Sequence, residues 1–490
     1  SPAPVASMSD PAPSSADPAA RERAIAFLLS RINYEKSPAL PFDQRRLKLD
    51  RMRSLLARVG NPDRGLPIVH VAGTKGKGST SAFVARILRE AGYDVGVFSS
   101  PHLESIEERF AVNDELCGPA EFASLVDKLR PAVHAMDAEA AASDDRSLRL
   151  TFFELITAVA LLHFKRRKVD LAVLEVGLGG RLDSTNVCQP AVTAITCIDY
   201  DHMKQLGETL PEIAAEKAGI VKPGVPLVVG PLEPSAYEVI ARIARERGAR
   251  MVEPERDYRF SYEEPAAGSP WFGAGRLRYE PVTGAGHGLA GAPLGLCGEH
   301  QAANATVAVA IVDELTRQGW LASQESVERG LAATTLPGRL EVARTEPTVV
   351  LDVAHNVASI AALVKFVDRA PADMPRRLLF AATRDKDVRG MIRELAPAFP
   401  RAWLAEYQEA SRAVPVAELA AMWREETAAL GLVSPPSIVA TEADALAAWQ
   451  TIVGDAGPDE LICATGSFFL IAQLRPAIRA TPHAAPSRCV

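Results

Sequence analysis

Residues 67–88 read Pro67-Ile68-Val69-His70-Val71-Ala72-Gly73-Thr74-Lys75-Gly76-Lys77-Gly78-Ser79-Thr80-Ser81-Ala82-Phe83-Val84-Ala85-Arg86-Ile87-Leu88. A short apolar run is followed by a glycine- and lysine-rich turn. Hydroxyl residues then open a segment in which Phe83, Ile87 and Leu88 share one helical face. The pattern predicts a strand over 67–72 and a helix over 79–91. The loop between them can wrap backbone N–H groups around an anion, because glycines let the chain approach closely and the helix N-terminus attracts negative charge. Lys77 would reach the outer phosphates of a nucleotide, and Ser79 or Thr80 would offer a hydroxyl to phosphate or magnesium. The general phosphate-loop pattern is broken twice: Val71 stands where its first glycine would fall, and Gly78 follows the lysine. A flexible glycine turn is the plainer alternative, and the flanking strand and helix argue against it.

Outward from this loop the chain alternates apolar runs with helical patterns. Strands are expected at 94–98, 169–175, 191–198 and 225–229, and helices at 152–164, 211–221, 234–247 and 301–318. Such alternation defines an α/β protein with a mostly parallel sheet. Residues 250–296 are rich in Gly, Pro and aromatics and read as irregular β-hairpins. A second βα series follows over 347–478, with strands at 348–353, 377–382 and 460–464, after the punctuation Leu336-Pro337-Gly338. The expected organisation is a disordered leader (1–20), an N-terminal ATP-binding and catalytic domain (21–336), a smaller C-terminal Rossmann-like domain (337–479) and a flexible tail (480–490). A second glycine-rich turn, Gly177-Leu178-Gly179-Gly180, has Leu182 where a dinucleotide fingerprint needs glycine, which disfavours NAD.

At 490 residues, with 48% hydrophobic and 23% charged composition, the chain can build two or three cored domains. Its net charge of −7 comes without a basic, aromatic-interleaved stripe, so nucleic acid is not an expected partner. No apolar run approaches the roughly 18 residues of a membrane helix. The six cysteines include no C-x-x-C pair, which suits reduced thiols and a cytoplasmic protein.

Further segments agree, in order, with one family. The loop form Gly73-Thr74-Lys75-Gly76-Lys77-Gly78-Ser79 is followed by Ser99-Ser100-Pro101-His102-Leu103, Thr151-Phe152-Phe153-Glu154, Leu174 to Asn186, Asp201-His202, Glu216-Lys217-Ala218-Gly219-Ile220, Gly298 to Asn304, Pro337 to Glu341 and Leu351 to Asn356. Over residues 22–478 the chain resembles the folylpolyglutamate synthase and dihydrofolate synthase family of the Mur ligase superfamily, especially its bacterial bifunctional type. The resemblance implies ATP-dependent addition of L-glutamate to folates, to dihydropteroate or to both, through an acyl phosphate, by a monomer. It implies that Gly73, Thr74, Gly76, Lys77, Gly78, Ser79 and Thr80 hold the ATP phosphates, with Asn304, Arg339, Asp352 and His355 on the nucleotide's other side. Magnesium, as two ions, would be held by Ser79, Ser100, Glu175, His202 and Lys217, the last as a carbamate. A monovalent cation is a further implied ligand. Lys77, Lys217, His202 and Glu175 would be catalytic. Thr151, Phe152, Phe153, Glu154, Leu182, Asp183 and Ser184 would line the pterin site.

Elementary chemistry supports some of these roles and leaves others open. Glu175 is an acid at the C-terminal end of an apolar strand, where open α/β sheets bind ligands, and a hard cation wants such oxygens; a solvated edge-strand carboxylate is the alternative. His202 taken alone reads as a packed or surface histidine, and Lys217 as a helix-surface lysine paired with Glu216. Asp352 could instead cap the helix starting near Val357, and Phe152 and Phe153 could be helix core. Val357 stands where the family usually has proline, which bears on local rigidity more than on function. Two other activities compete: a Mur-type ligase acting on a different carboxylate, and a phosphate-loop ATPase without ligase chemistry. Gly78 and the Ser-Pro-His-Leu loop favour the folate branch.

Overall fold

The computed structural model describes residues 18–34, 49–143, 149–265, 269–282, 284–408 and 412–480. Most of the expected leader and tail therefore lies outside the described residues. The helix Pro18–Leu29 takes up the end of the predicted leader, and the helix Phe468–Ala480 ends at the start of the predicted tail.

The first sheet contains β1 (Ile68–Ala72), β2 (Val95–Phe98), β3 (Phe110–Val112), β4 (Leu171–Glu175), β5 (Val192–Ile195), β6 (Leu227–Val229) and β7 (Met251–Val252) in the order β3-β2-β4-β1-β5-β6-β7. Every pairing is parallel except β2 with β3. All residues of β1 and β4 are buried, which is why both read as largely apolar runs, interrupted only by His70 and by Glu175 at the end of β4, rather than as alternating ones. One face packs on the helices Pro119–Ala142 and Phe152–Arg167, the other on Lys77–Glu90 and Glu299–Arg317. Because β1 lies between β4 and β5, chain leaves its carboxyl end toward both sides of the sheet. The crevice that results is the usual ligand position of such folds.

The 250–296 region forms the antiparallel sheet β8 (Tyr258–Glu263), β9 (Arg276–Pro281) and β10 (Leu289–Pro293). A buried polar cluster pins it to the helix Glu299–Arg317: Asp313 accepts from the Tyr279 hydroxyl (2.8 Å) and pairs with His287 Nδ1 (2.6 Å), while His287 Nε2 meets the Ala322 carbonyl (2.9 Å). The second large sheet holds β11 (Glu341–Thr345), β12 (Thr348–Leu351), β13 (Arg376–Phe380), β14 (Arg401–Ala405), β15 (Ser437–Glu442) and β16 (Leu461–Thr465), ordered β11-β12-β16-β13-β14-β15. It is parallel but for β11 with β12.

The α/β class and mostly parallel sheets match the reading of the sequence. Three details differ. The strand expected over 191–198 stops at Ile195, where the Thr196 hydroxyl and the Cys197 carbonyl turn to bind Lys75 and Thr74 of the phosphate loop. The helix expected over 211–221 is an α-helix only over Leu210–Lys217, followed by a 3-10 turn at Ala218–Ile220. There Gly219 lies so close to Arg181 that a Cβ would fall 2.4 Å from its Cα. The helices Leu49–Arg58 and Pro119–Ala142 were not anticipated; the second carries Pro131 in its interior, which interrupts its helical signal.

The two sheet units meet through ion pairs. Arg475 is buried against Glu341 of its own unit (3.0 Å) and also pairs with Glu104 of the first. Lys386 lies 3.5 Å from Asp201. Among the described residues, Cys117, Cys188, Cys197 and Cys463 are free thiols. Among the described residues no helix is long and apolar enough to cross a membrane.

Candidate active site

The loop after β1 is built by two glycines in the left-handed region, each against a specific neighbour. Gly73 (φ 150°) leaves no room for a Cβ, which would lie 1.9 Å from Thr196 Oγ1, and Gly76 (φ 81°) caps the helix Lys77–Glu90 where a Cβ would lie 2.1 Å from Asn304 Oδ1. Thr196 Oγ1 donates to the Lys75 carbonyl (2.5 Å), the Thr74 N–H donates to the Cys197 carbonyl (2.9 Å), and Lys75 Nζ pairs with Asp199 Oδ2 (2.6 Å). The loop is thus lashed to the segment after β5. Lys77 Nζ folds back to the carbonyls of Gly73 (3.1 Å) and Thr74 (3.4 Å), weak contacts for an ammonium that an anion could take over.

A cleft of about 1760 Å³ opens between the two units and contains this loop. From the first unit it is lined by Ser79, Ser100, Glu175, His202, Lys217 and Asn304, and from the second by Arg339, Asp352 and His355. Glu175 ends β4 beside Val71 and is only 6% exposed. Its carboxylate takes one long hydrogen bond, from the Ser100 N–H (3.4 Å). Burial pushes its carboxyl above the usual range against the opposing charges of Lys77 and Arg339. A buried, barely satisfied carboxylate facing a cleft suits a hard cation. Gly78 stands opposite, its Cβ position 3.6 Å from Glu175 Oε2, so the residue that breaks the general loop pattern leaves space beside this acid.

Lys217 is 4% exposed and donates to the Gly73 carbonyl (3.0 Å). Burial, followed by the charge of Lys77, holds its pKa down to about 7. The surface-lysine reading therefore gives way: Glu216 pairs with Arg181 instead (2.8 Å). His202 has left-handed backbone (φ 50°), donates its N–H to Asp201 Oδ1 (2.9 Å), and keeps its side chain 49% exposed at the cleft, where nearby protein holds its pKa below the ordinary value. Ser100, Glu175, His202 and Lys217 share the cleft.

Arg339 makes no hydrogen bond or ion pair among the described residues and faces the cleft, an unclaimed guanidinium suited to phosphate. Asp352 does not cap the following helix. Its two oxygens accept from the Leu340 (2.7 Å) and Ala354 (2.8 Å) N–H groups, and the cap is Asn356, which accepts from the Ser359 N–H (3.0 Å) and so supplies the start that proline would pre-set. His355 Nδ1 donates to the Val353 carbonyl (2.8 Å), which leaves Nε2 for a ligand.

Several expected site residues do structural work. Thr80 does not reach the cleft: it is fully buried, its hydroxyl donating to the Asn304 carbonyl (3.3 Å) and its N–H to Gly76 (2.8 Å), which leaves Ser79 as the loop's cleft-facing hydroxyl. Thr151, Phe152, Phe153, Glu154, Leu182, Asp183 and Ser184 all border the cleft. Phe152 is nonetheless core (1% exposed), under the Arg109 guanidinium, whereas Phe153 lies over Gly177 and against Phe98 (ring centroids 5.7 Å). Glu154 accepts from the Thr151 N–H and hydroxyl (both 2.8 Å) and from Arg51 Nε (2.7 Å). Asp183 folds the Gly177–Gly179 turn by accepting the Gly177 and Leu178 N–H groups (both 3.0 Å). Ser184 shares a hydrogen bond with Thr157 (2.7 Å).

The sequence reading missed the wall contributed by the C-terminal ends of β13, β14 and β16: Thr383, Lys386, Tyr407 and Ser467. The polar run Thr383-Arg384-Asp385-Lys386-Asp387 directly after an apolar strand was an available signal.

A phosphate loop on a parallel sheet, facing a second α/β unit across one cleft, is the architecture of a two-domain nucleotide-dependent ligase. Residues 71–312 match the Mur ligase middle domain and residues 338–468 the Mur ligase glutamate ligase domain. The chain is 34% identical over 447 residues to dihydrofolate synthase/folylpolyglutamate synthase of Bacillus subtilis, covering 88% of this chain and 95% of that one, and 32% identical to folylpolyglutamate synthase of Lacticaseibacillus casei (87% and 94%). Among solved structures, the Mycobacterium tuberculosis folylpolyglutamate synthase complexed with ADP and AMPPCP superposes with TM-score 0.79 at 28% identity (95% and 100% covered). The Escherichia coli FolC complex with DHPP and ADP gives 0.76 at 28% (96% and 99% covered). This chain belongs to the folylpolyglutamate synthase/dihydrofolate synthase family and is an ATP-dependent amino-acid ligase.

Proposed function

We propose that the protein joins L-glutamate to the carboxylate of a folate or of dihydropteroate, using the cleft between its two units. The observation that carries this reading is convergence: the loop at 73–79, Glu175 and Lys217 of one unit face Arg339, Asp352 and His355 of the other. A carboxylate is too poor an electrophile to condense with an amine at neutral pH. Its oxygen attacks the γ-phosphorus of ATP, the bond to ADP breaks, and an acyl phosphate results; the glutamate amine then attacks the acyl carbon and expels phosphate. Lys77 and Arg339 neutralise charge on the phosphoryl group as it transfers, and the loop N–H groups fix its position. Ser79, Ser100, Glu175 and His202, with Lys217 as its carbamate, would hold magnesium, which shields the phosphate charges when bound. Carbamate formation needs a neutral amine, and the buried Lys217 supplies one. A monovalent cation is part of the same reading, as are a monomeric state and a cytoplasmic location. Thr151, Phe153, Leu182 and their neighbours would border the pterin.

The deciding measurement is ADP release by the pure protein with dihydropteroate or tetrahydrofolate and L-glutamate, each omitted in turn. Turnover that needs both an acceptor and glutamate is expected, and glutamate-independent hydrolysis would overturn the reading. Comparison of the two acceptors separates dihydrofolate synthesis from polyglutamylation. A carbamate carbon labelled from ¹³C-bicarbonate should appear by NMR and vanish in Lys217→Met.

A further inference from the structure

Outside the cleft, three metal-ligating side chains of different chemistry converge beside β3. Cys117 precedes the helix Pro119–Ala142, Glu121 sits in its first turn, and His163 comes from the last turns of Phe152–Arg167. Each offers one donor atom, all within 4.8 Å of one another, and no other such group of three exists among the described residues. Cys117 is 3% exposed and His163 is fully buried, while the Glu121 side chain remains 20% exposed and gives a route from solvent. His163 Nδ1 lies 3.0 Å from Glu121 Oε1, but its Nε2 is buried with no hydrogen-bond partner among the described residues. The Cys117 thiol has only a long contact to the Gly118 carbonyl (3.7 Å). Apolar packing would not select this trio, and the ligase chemistry does not use it.

We propose that Cys117, Glu121 and His163 bind a thiophilic divalent cation of the zinc class, at a site separate from the ligase cleft. One sulfur, one imidazole nitrogen and one carboxylate oxygen, with water as fourth ligand, is a donor set that zinc accepts and magnesium avoids. Tetrahedral coordination at ~2.0–2.3 Å puts ligand atoms about 3.3–3.8 Å apart, so closure needs a contraction on the order of 1 Å. The thiol proton leaves to solvent on binding. Thiolate and carboxylate then cancel the dication, and the resulting neutral group is tolerated beside Arg166, whose Nε lies 3.8 Å from Glu121 Oε1. The ion would staple the start of one helix to the end of its neighbour.

Cobalt(II) tests the site, because a thiolate ligand gives it a near-ultraviolet charge-transfer band that an oxygen-lined magnesium site cannot. The full-length protein, in excess magnesium, should take up one equivalent of cobalt with this band, and zinc should displace it. Cys117→Ser should abolish the band, whereas Cys197→Ser, which alters the thiol beside the phosphate loop, should retain it. Glu121→Gln changes the exposed edge of the site and should weaken cobalt binding by about 10-fold or more. The proposal is overturned by absence of the band in the unaltered protein, by its survival in Cys117→Ser, or by an affinity that Glu121→Gln leaves unchanged.

Discussion

Glu154→Gln separates a substrate contact from a structural one. The Glu154 carboxylate accepts three hydrogen bonds, from the Thr151 N–H, the Thr151 hydroxyl and Arg51 Nε, and its own N–H completes the capping box by donating to Thr151 Oγ1 (3.3 Å). The Arg51 and Glu154 side chains are 3% and 6% exposed. Glutamine keeps the shape but has one acceptor oxygen, so its NH₂ must face either Arg51 Nε or the Thr151 N–H, donor against donor. Removing the charge from a buried pair costs about 3–5 kcal/mol, and a damaged cap costs about 1 kcal/mol. Since part of each contact survives in glutamine, a loss near 3 kcal/mol is expected. Hydrogen exchange read by mass spectrometry reports this locally: amides of Phe152–Arg167 should exchange about two orders of magnitude faster, at ~1.4 kcal/mol per tenfold. Unchanged exchange in that helix, with a raised KM for the pterin substrate, would refute the structural assignment.

Three other outcomes follow from the geometry. Gly76→Ala forces a Cβ into the left-handed region and onto Asn304, whose bond to Gln301 (2.9 Å) must give; at about 2–3 kcal/mol, ATP should bind roughly 30- to 150-fold more weakly by calorimetry. A change below threefold would contradict this. Lys77→Ala should abolish turnover while circular dichroism stays unchanged, and retained activity would remove Lys77 from the phosphate site. His287 has its pKa raised, first by its hydrogen bond to Asp313. Its stabilisation is therefore full below the unfolded histidine value near 6.5 and is lost as pH rises through the folded value. Denaturant midpoints followed by tryptophan fluorescence should fall over that window and flatten in His287→Asn.

The fold was legible where one physical signal dominated. β1 and β4 are buried on both faces, so their apolar runs had no competing explanation, and the glycines at 73 and 76 betray a backbone that only glycine adopts easily. Glu175 and Lys217 were legible through their motifs. Their burial, which gives each its chemistry, was not, because it depends on segments distant in the sequence, that of Ser100 for one and of Gly73 for the other. Thr80 and Glu154 show the opposite failure. A hydroxyl or carboxylate beside a binding loop looks the same in sequence whether it faces ligand or caps a helix, and only the partners Asn304 and Arg51 tell them apart. Lys386 and Ser467 went unnoticed because the second sheet's strand ends join the cleft only after the two units pack.

Arg475 joins the two units at a buried point. Its guanidinium is anchored to Glu341 on its own side and grips Glu104 on the other, a few residues beyond Ser100. A swing of one half against the other about this point would keep the buried Arg475 pairs while separating Lys386 from Asp201. Such a swing levers the 100–104 segment and with it the Ser100 N–H that touches Glu175. A change at the Arg475 contact would thus be felt four residues away, at the N–H that touches the acid on the floor of the cleft.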